Sequence, residues 1–336
     1  MRVWLLLLVV VSALSLKGQE RMERAPKAQG AAPDTVHMGA YFVWVYDFNL
    51  PDESYSVKCW LWFRYTNPAL QPEKLAAVFN AKSFEFTHVV HQEINGVHWV
   101  QMNCTAVVRQ KYLLKYFPFD KQVLRFRVGF EGSTDRDIVL VADTTSHSVY
   151  DEFNQPEGWN LVGFSTVVEP RTYQTDFGTP VVNGNTTTLS LFMAQLKLER
   201  QGWSLFLKLF SGMYAAFLIA WFSLFINPSA VDPRFGLSVG GLFATVGNKY
   251  IVDSILPEMT KDNLVDTLHG YTFAAVISCI CISVISLYYQ QRGLTKRYKR
   301  VDRIASTVLL LFFVVINVVL ISQAIQSSPA NFWPAK

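Results

Sequence analysis

The residues best able to do chemistry fall in two places. His88-Val-Val-His91, with Glu93 and His98 nearby, offers imidazoles and a carboxylate to a metal ion. In a strand the side chains alternate, so His88 and His91 would point to opposite faces and would not converge on one ion. No metal site is expected from that spacing. His-Glu-x-x-His, nucleophile-elbow and phosphate-loop patterns are missing too, so no enzymatic reaction and no cofactor is expected. The second place is an apolar stretch, residues 235–256. It holds Asn248, Lys249 and Asp253, with Gly236, Gly240, Gly241 and Gly247. Ionisable groups inside an apolar span face protein or a water-filled cavity. Such a helix either lines a channel or is buried in a bundle, and composition leaves both open.

The elements around these residues divide the chain in two. Hydrophobic residues make up 51% of the 336 and charged residues 17%, against about 25% charged in soluble domains. A net charge of +4 is too small and dispersed to point to nucleic acid. Arg2, a short apolar run and small residues predict a signal peptide over 1–18, with a flexible leader over 19–38. From 39 to 200 the pattern alternates with period two, as in residues 55–65, 122–128, 138–142 and 189–198. Turn clusters at 49–54, Asn95-Gly96, 132–135 and Asn183-Gly184 separate these runs. That is the signature of an exported β-sandwich. Cys59 and Cys104 lie in it, and whether they are close enough to pair does not follow from sequence.

Composition changes at Trp203. Residues 201–327 contain four apolar stretches, about 204–226, 235–256, 268–289 and 301–325, each long enough to span a bilayer. Between the third and fourth stand Arg292, Lys296, Arg297, Lys299, Arg300 and Arg303 against one acid, Asp302. The positive-inside rule makes that connector cytoplasmic. The β domain, the acidic Glu258–Asp266 loop and the 328–336 tail then lie on the outer side.

Tyr116-Phe-Pro-Phe-Asp-Lys-Gln122 is similar to the Phe-Pro-x-Asp-x-Gln run of one membrane family. Gly158-Trp159 before a strand, Glu199-Arg200 at the first span, Asp232-Pro-Arg-Phe-Gly-Leu237 opening the second span and Leu256-Pro257 closing it follow in the same order. On these segments the chain resembles the pentameric ligand-gated ion channels, the Cys-loop receptor superfamily. Animal members close the first of these loops with two cysteines. Here those positions are Gln110 and Leu124, as in the bacterial branch. One departure is the lack of a Trp-x-Pro segment before the loop, which removes part of one wall of the usual ligand pocket.

The resemblance implies a homopentamer in the inner (plasma) membrane, a four-helix bundle in each subunit, and pores lined by five second helices. Helical spacing puts Gly236, Gly240, Phe243, Gly247, Tyr250 or Ile251, and Ser254 on one face. Phe243 would be the apolar constriction. Asp232 and Arg234 would sit at the cytoplasmic mouth, where a carboxylate ring favours cations; the residues just before the arginine set selectivity in that family, and the arginine itself usually points away from the pore. Phe117, Pro118, Phe119, Asp120 and Arg200 would couple the domains near Pro257, with Asp52 and Glu53 in the same zone. Between neighbouring subunits, Trp60, Trp62 and Arg64 would face Tyr150, Tyr173 and Phe177, a set suited to a small ligand; protons are the other candidate stimulus. The function implied is a cation-selective, ligand-gated channel passing inorganic ions. The alternatives are an anion-selective channel, or a pentameric sensor or scaffold of the same fold that conducts poorly.

Overall fold

The computed structural model describes residues 32–178, 186–257 and 263–326. The expected signal peptide, most of the leader, the Asn183-Gly184 turn, Glu258, Lys261, Asp262 and the tail lie outside the described residues.

The N-terminal region is mostly β. Its strands are β1 Asp34–Asn49, β2 Ser54–Tyr65, β3 Ala76–Val78, β4 Ala81–Ile94, β5 Val97–Arg109, β6 Lys121–Phe130, β7 Ile138–Ala142, β8 Val149–Tyr150, β9 Trp159–Tyr173 and β10 Thr187–Arg200. The first sheet runs β4-β5-β2-β1-β7, with β8 added to β1; the second runs β3-β6-β10-β9. β1 starts at Asp34, inside the segment expected to be a leader, because Asp34–Met38 pair in register with Ile138–Ala142 of β7.

Alternation decides which face is core. On β2, Tyr55, Val57, Cys59, Leu61 and Phe63 are wholly buried, while Lys58, Trp60, Trp62 and Arg64 take the other face. β1 contributes Val36, Met38, Ala40 and Phe42, and the second sheet answers with Leu124, Phe126, Val128, Phe192, Ala194 and Leu196. Phe42 meets Phe126 edge-on at 5.5 Å and Phe164 at 5.4 Å. Burying each such side chain contributes about 1.5–3 kcal/mol. Cys59 and Cys104 are direct cross-strand partners, both buried and both free thiols. Burial, reinforced by Cys104, pushes the Cys59 thiol well above its ordinary range.

The β4–β5 hairpin turns at Asn95 and Gly96, both at positive φ (54° and 73°), as a two-residue turn of this hand requires. Inside β4 the register breaks between Thr87 and Val90, with His88 at φ 53°. The regular alternation expected across His88 and His91 is therefore interrupted by a bulge. His91 lies 4.0 Å from Glu73 and His98 3.8 Å from Glu93. Among the described residues no three metal-ligating side chains converge.

Four long helices follow: α1 Gly202–Phe222, extended by a 3₁₀ turn to Phe225, α2 Val231–Asp253, α3 Leu264–Gln291 and α4 Thr295–Gln326. Three of them, α1 with its 3₁₀ turn, α3 and α4, are long and apolar enough to cross a membrane. α2 is not one of these, contrary to the four expected. It has the length at 23 residues, but its glycines, Asn248 and Lys249 dilute its apolar content. α4 begins at Thr295, ahead of the expected 301, because Lys and Arg are good helix formers. The packing is specific. Phe217 of α1 stacks on Phe313 of α4 at 3.8 Å, Tyr214 donates to Asn317 at 3.0 Å, and Trp221 donates to the Ser306 carbonyl at 3.0 Å.

Candidate functional site

The predicted residues resolve into three groups. The first is the junction between the β region and the helices. β6 opens at Lys121 and β10 closes at Arg200, and their pairing brings Asp120 beside Arg200. The Asp120 carboxylate is buried and takes a forked pair from Arg200, Nε to Oδ1 at 2.6 Å and Nη2 to Oδ2 at 3.1 Å. Gln122 Nε2 donates to the same Oδ2 at 2.7 Å. The guanidinium lies over Trp159 at 3.9 Å and near Phe117 at 5.1 Å.

Directly after Arg200 the chain becomes α1. Gly202 is needed there, since a Cβ would lie 2.5 Å from the Pro118 carbonyl and 2.6 Å from Phe119. Phe119 packs on Trp203 at 5.1 Å and Phe206 at 5.6 Å. At the start of α3 the Leu264 N–H donates to the Lys115 carbonyl at 2.9 Å. Five of the predicted coupling residues, Phe117 to Asp120 and Arg200, thus form one continuous contact with α1. Asp52 instead pairs with Lys82 at 2.6 Å, and that bond, with the Ser54 hydroxyl, holds its carboxyl below the usual range. Glu53 sits at φ 47° and its carbonyl accepts from Gln110 at 2.8 Å. Pro257 ends the described part of its loop.

The second group is α2, which has two distinct faces. Arg234, Ser238, Gly241, Thr245 and Val252 are buried against the other helices. Gly236, Gly240, Phe243, Gly247, Tyr250, Ile251 and Ser254 form the opposite, exposed face within the chain. Phe243 is 71% exposed, Tyr250 74% and Ile251 65%. Ser254 turns its hydroxyl back onto the Ile251 carbonyl at 2.8 Å. The polar side chains that marked this helix are used elsewhere. Asn248 donates to the Leu209 carbonyl of α1 at 2.9 Å and meets His269 of α3 at 3.0 Å. Lys249 pairs with Asp253 and Asp266, both at 2.5 Å.

Arg234, named with Asp232 as a residue of the mouth and usually turned away from the pore in the family it resembles, is fully buried. Its fork holds Asp302 of α4 at 2.6 and 3.1 Å, its Nε donates to Ser283 of α3 at 3.1 Å, and Nη1 donates to the Ile226 carbonyl at 2.7 Å. It ties helices together. Asp232, two residues earlier, is exposed in the first turn of α2, a position where the helix dipole also favours a carboxylate.

The two faces of α2 make opposite forecasts for neighbouring glycines. A Cβ at Gly241 would sit 2.7 Å from the Ala216 carbonyl and 2.9 Å from Ala220 Cβ, whereas at Gly240 nothing lies within 4 Å. Gly240→Ala should therefore raise the melting temperature, from a gain of up to about 1 kcal/mol in helix propensity. Gly241→Ala should lower it, because overpacking a rigid contact costs about 1–3 kcal/mol. Thermal unfolding in detergent, followed by circular dichroism, measures both; a rise for Gly241→Ala would mean that α2 turns a different face toward α1.

The third group is the aromatic set. Trp60, Trp62 and Arg64 do share the outward face of β2. Trp62 Nε1 donates to Asp143 Oδ2 at 2.9 Å and Arg64 Nη1 to Oδ1 at 3.1 Å. Burial pushes the Asp143 carboxyl up, but the bond from Trp62, the Thr145 and Ser146 N–H groups and the Arg64 charge outweigh it and hold it below the usual range. Asp143 is invisible to sequence reasoning, since nothing local marks an Asp at a strand end as the partner of residues about 80 positions away. Tyr150 is not on an open face. It is buried in the core, with its hydroxyl donating to the Asn154 carbonyl. Tyr173 and Phe177 meet edge-on at 5.6 Å, and Phe177 is 63% exposed. They extend from β9 in the second sheet, whereas Trp60, Trp62 and Arg64 are in the first. One chain does not join the two halves of the predicted pocket. No family model matches this chain, and no curated protein matches it.

Proposed function

We propose that this chain is a subunit of a pentameric ligand-gated ion channel in the inner membrane, with the β region outside and α2 lining a central pore. The observation that carries the reading is the exposed face of α2. This helix is too polar to rank with the three lipid-compatible ones, and its charged side chains other than Asp232 are engaged with other protein groups. What remains open is a stripe in which the small residues Gly236, Gly240 and Gly247 alternate with Phe243 and give way to Tyr250 and Ile251 toward its C-terminal end. Five copies around an axis would cover that stripe and form an apolar ring at Phe243, which gates by dewetting. With Arg234 withdrawn into the helix packing, Asp232 is the charge left at the opening turn of α2, which favours cations. The separation of Trp60, Trp62 and Arg64 from Tyr173 and Phe177 within one chain fits a ligand pocket completed by a neighbouring subunit.

A bilayer recording under a sodium chloride gradient tests this. Phe243→Ala should conduct without added ligand, reversing near the sodium potential, and Asp232→Asn in that background should shift reversal toward zero. Reversal near the chloride potential would keep the channel and discard the role of Asp232. Silence from a verified pentamer would favour the second reading, a sensor of the same fold that conducts poorly. The bulk of Phe243, Tyr250 and Ile251 on one face gives that reading its support.

A further inference from the structure

The outward face of the second sheet carries an unusual concentration of positive charge. By strand alternation Arg125 and Arg127 of β6 share a face. Arg127 pairs across to Met193 of β10, which pairs in turn with Val167 of β9. Two and four residues beyond Val167 on that strand come Glu169 and Arg171. Arg127, Glu169, Pro170, Arg171, Leu191 and Met193 line a pocket of about 250 Å³. Its floor is apolar: Leu191 and Met193 lie on the outward face, yet each is only 3% exposed.

The three arginines outnumber the one carboxylate beside them, Glu169. None of them makes an ion pair with a carboxylate among the described residues. Arg171 lies over the Tyr173 ring at 5.2 Å, a contact that supplies no anion. Burial, and next the charges of Arg125 and Arg171, hold the Arg127 guanidinium below the ordinary arginine range, with Glu169 and Tyr55 acting the other way. Three guanidiniums crowded against one carboxylate raise the potential of a partly desolvated hollow. A guanidinium presents paired N–H donors that match a carboxylate. Leu191, Met193 and Pro170 offer an apolar body somewhere to lie, which an inorganic anion would not use.

We propose that this pocket binds a small organic acid, its carboxylate held between Arg127 and Arg171 and its apolar part over Leu191 and Met193. The site lies outside both the α2 stripe and the β2 aromatic face, and it stands or falls separately from the channel reading. A ligand there would also engage the end of β9 where the β9–β10 hairpin begins, since Arg171 lies over the Tyr173 ring and Tyr173 meets Phe177 edge-on.

The test is a ligand-observed NMR titration of the full chain in detergent, at constant ionic strength, with butyrate as probe and inorganic phosphate and butylamine as comparisons. Butyrate should bind saturably, with a Kd on the order of 1 mM. Phosphate should bind more weakly and butylamine not at all. Arg127→Gln and Arg171→Gln should each weaken butyrate about tenfold, and Glu169→Gln should tighten it. Arg171 is exposed, so Arg171→Gln reads the site even if Arg127→Gln folds poorly. Unsaturable butyrate binding, or binding unchanged in Arg171→Gln, would overturn the proposal. Phosphate binding as tightly as butyrate would overturn the organic-acid class and leave a general anion patch.

Discussion

Arg234→Ala should cost about 3–5 kcal/mol, the range for breaking one side of a buried ion pair, and this should show first as lost folded protein. The reason lies in what the guanidinium leaves behind. Arg234 has no solvent exposure, and its departure strands the Asp302 carboxylate, which would keep only the Ser286 hydroxyl at 2.5 Å. It also orphans the Ile226 carbonyl and the Ser283 hydroxyl. Lysine should rescue little, because one ammonium cannot reach three separate elements in a fixed fork. Pairing Arg234→Met with Asp302→Leu should recover much of the loss, since a buried ion pair can be replaced by apolar packing at small cost. Urea unfolding of the four proteins in detergent measures this. If Arg234→Ala were as stable as the parent and altered only ion preference, Arg234 would be a mouth charge after all, and its fork to Asp302 would not hold the helices together.

That contrast shows where sequence reading reached and where it stopped. The β region was legible because period-two alternation is local. Residues 55–65 and 189–198 announce their buried faces without knowledge of any partner. The long apolar helices were legible for the same reason. Arg234 and Asp302 were not legible as a pair, because 68 residues separate them and only the folding of the helices around α3 brings them together. Asp143 was hidden in the same way from Trp62 and Arg64. Even the right signal carried an incomplete inference. Asn248, Lys249 and Asp253 flagged α2 as distinctive, but Asn248 and Lys249 bond to neighbouring helices and Asp253 bonds Lys249 within α2, and the stripe proposed as pore lining is a different set of residues. The buried Tyr150 has a similar explanation. β8 is only two residues long and adds to β1 with Tyr150 opposite Phe42, so its ring follows Phe42 into the core.

The pair at the junction should be the other costly one, and its cost should be shared. Asp120→Asn and Arg200→Gln should each lose about 3–5 kcal/mol, and the double variant should lose much less than their sum, with an interaction energy of about 0.5–3 kcal/mol. The carboxylate is 1% exposed and the guanidinium 10%, so neither charge has water to fall back on when the other is gone. Arg200→Lys should behave almost like Arg200→Gln, because lysine loses both the fork to Asp120 and the plane stacked on Trp159. A double-mutant cycle by thermal unfolding decides the energetic part, and strictly additive losses would mean the two residues act through separate contacts. The connection to function runs through position. Only Gln201 separates Arg200 from Gly202, which has no room for a side chain against Pro118 and Phe119, so any shift in the Asp120 fork must be passed to the first turn of α1. In the Phe243→Ala background, Arg200→Lys measured well below its melting temperature should therefore change channel open probability. An altered melting temperature with unchanged open probability would make the pair a structural tie and nothing more.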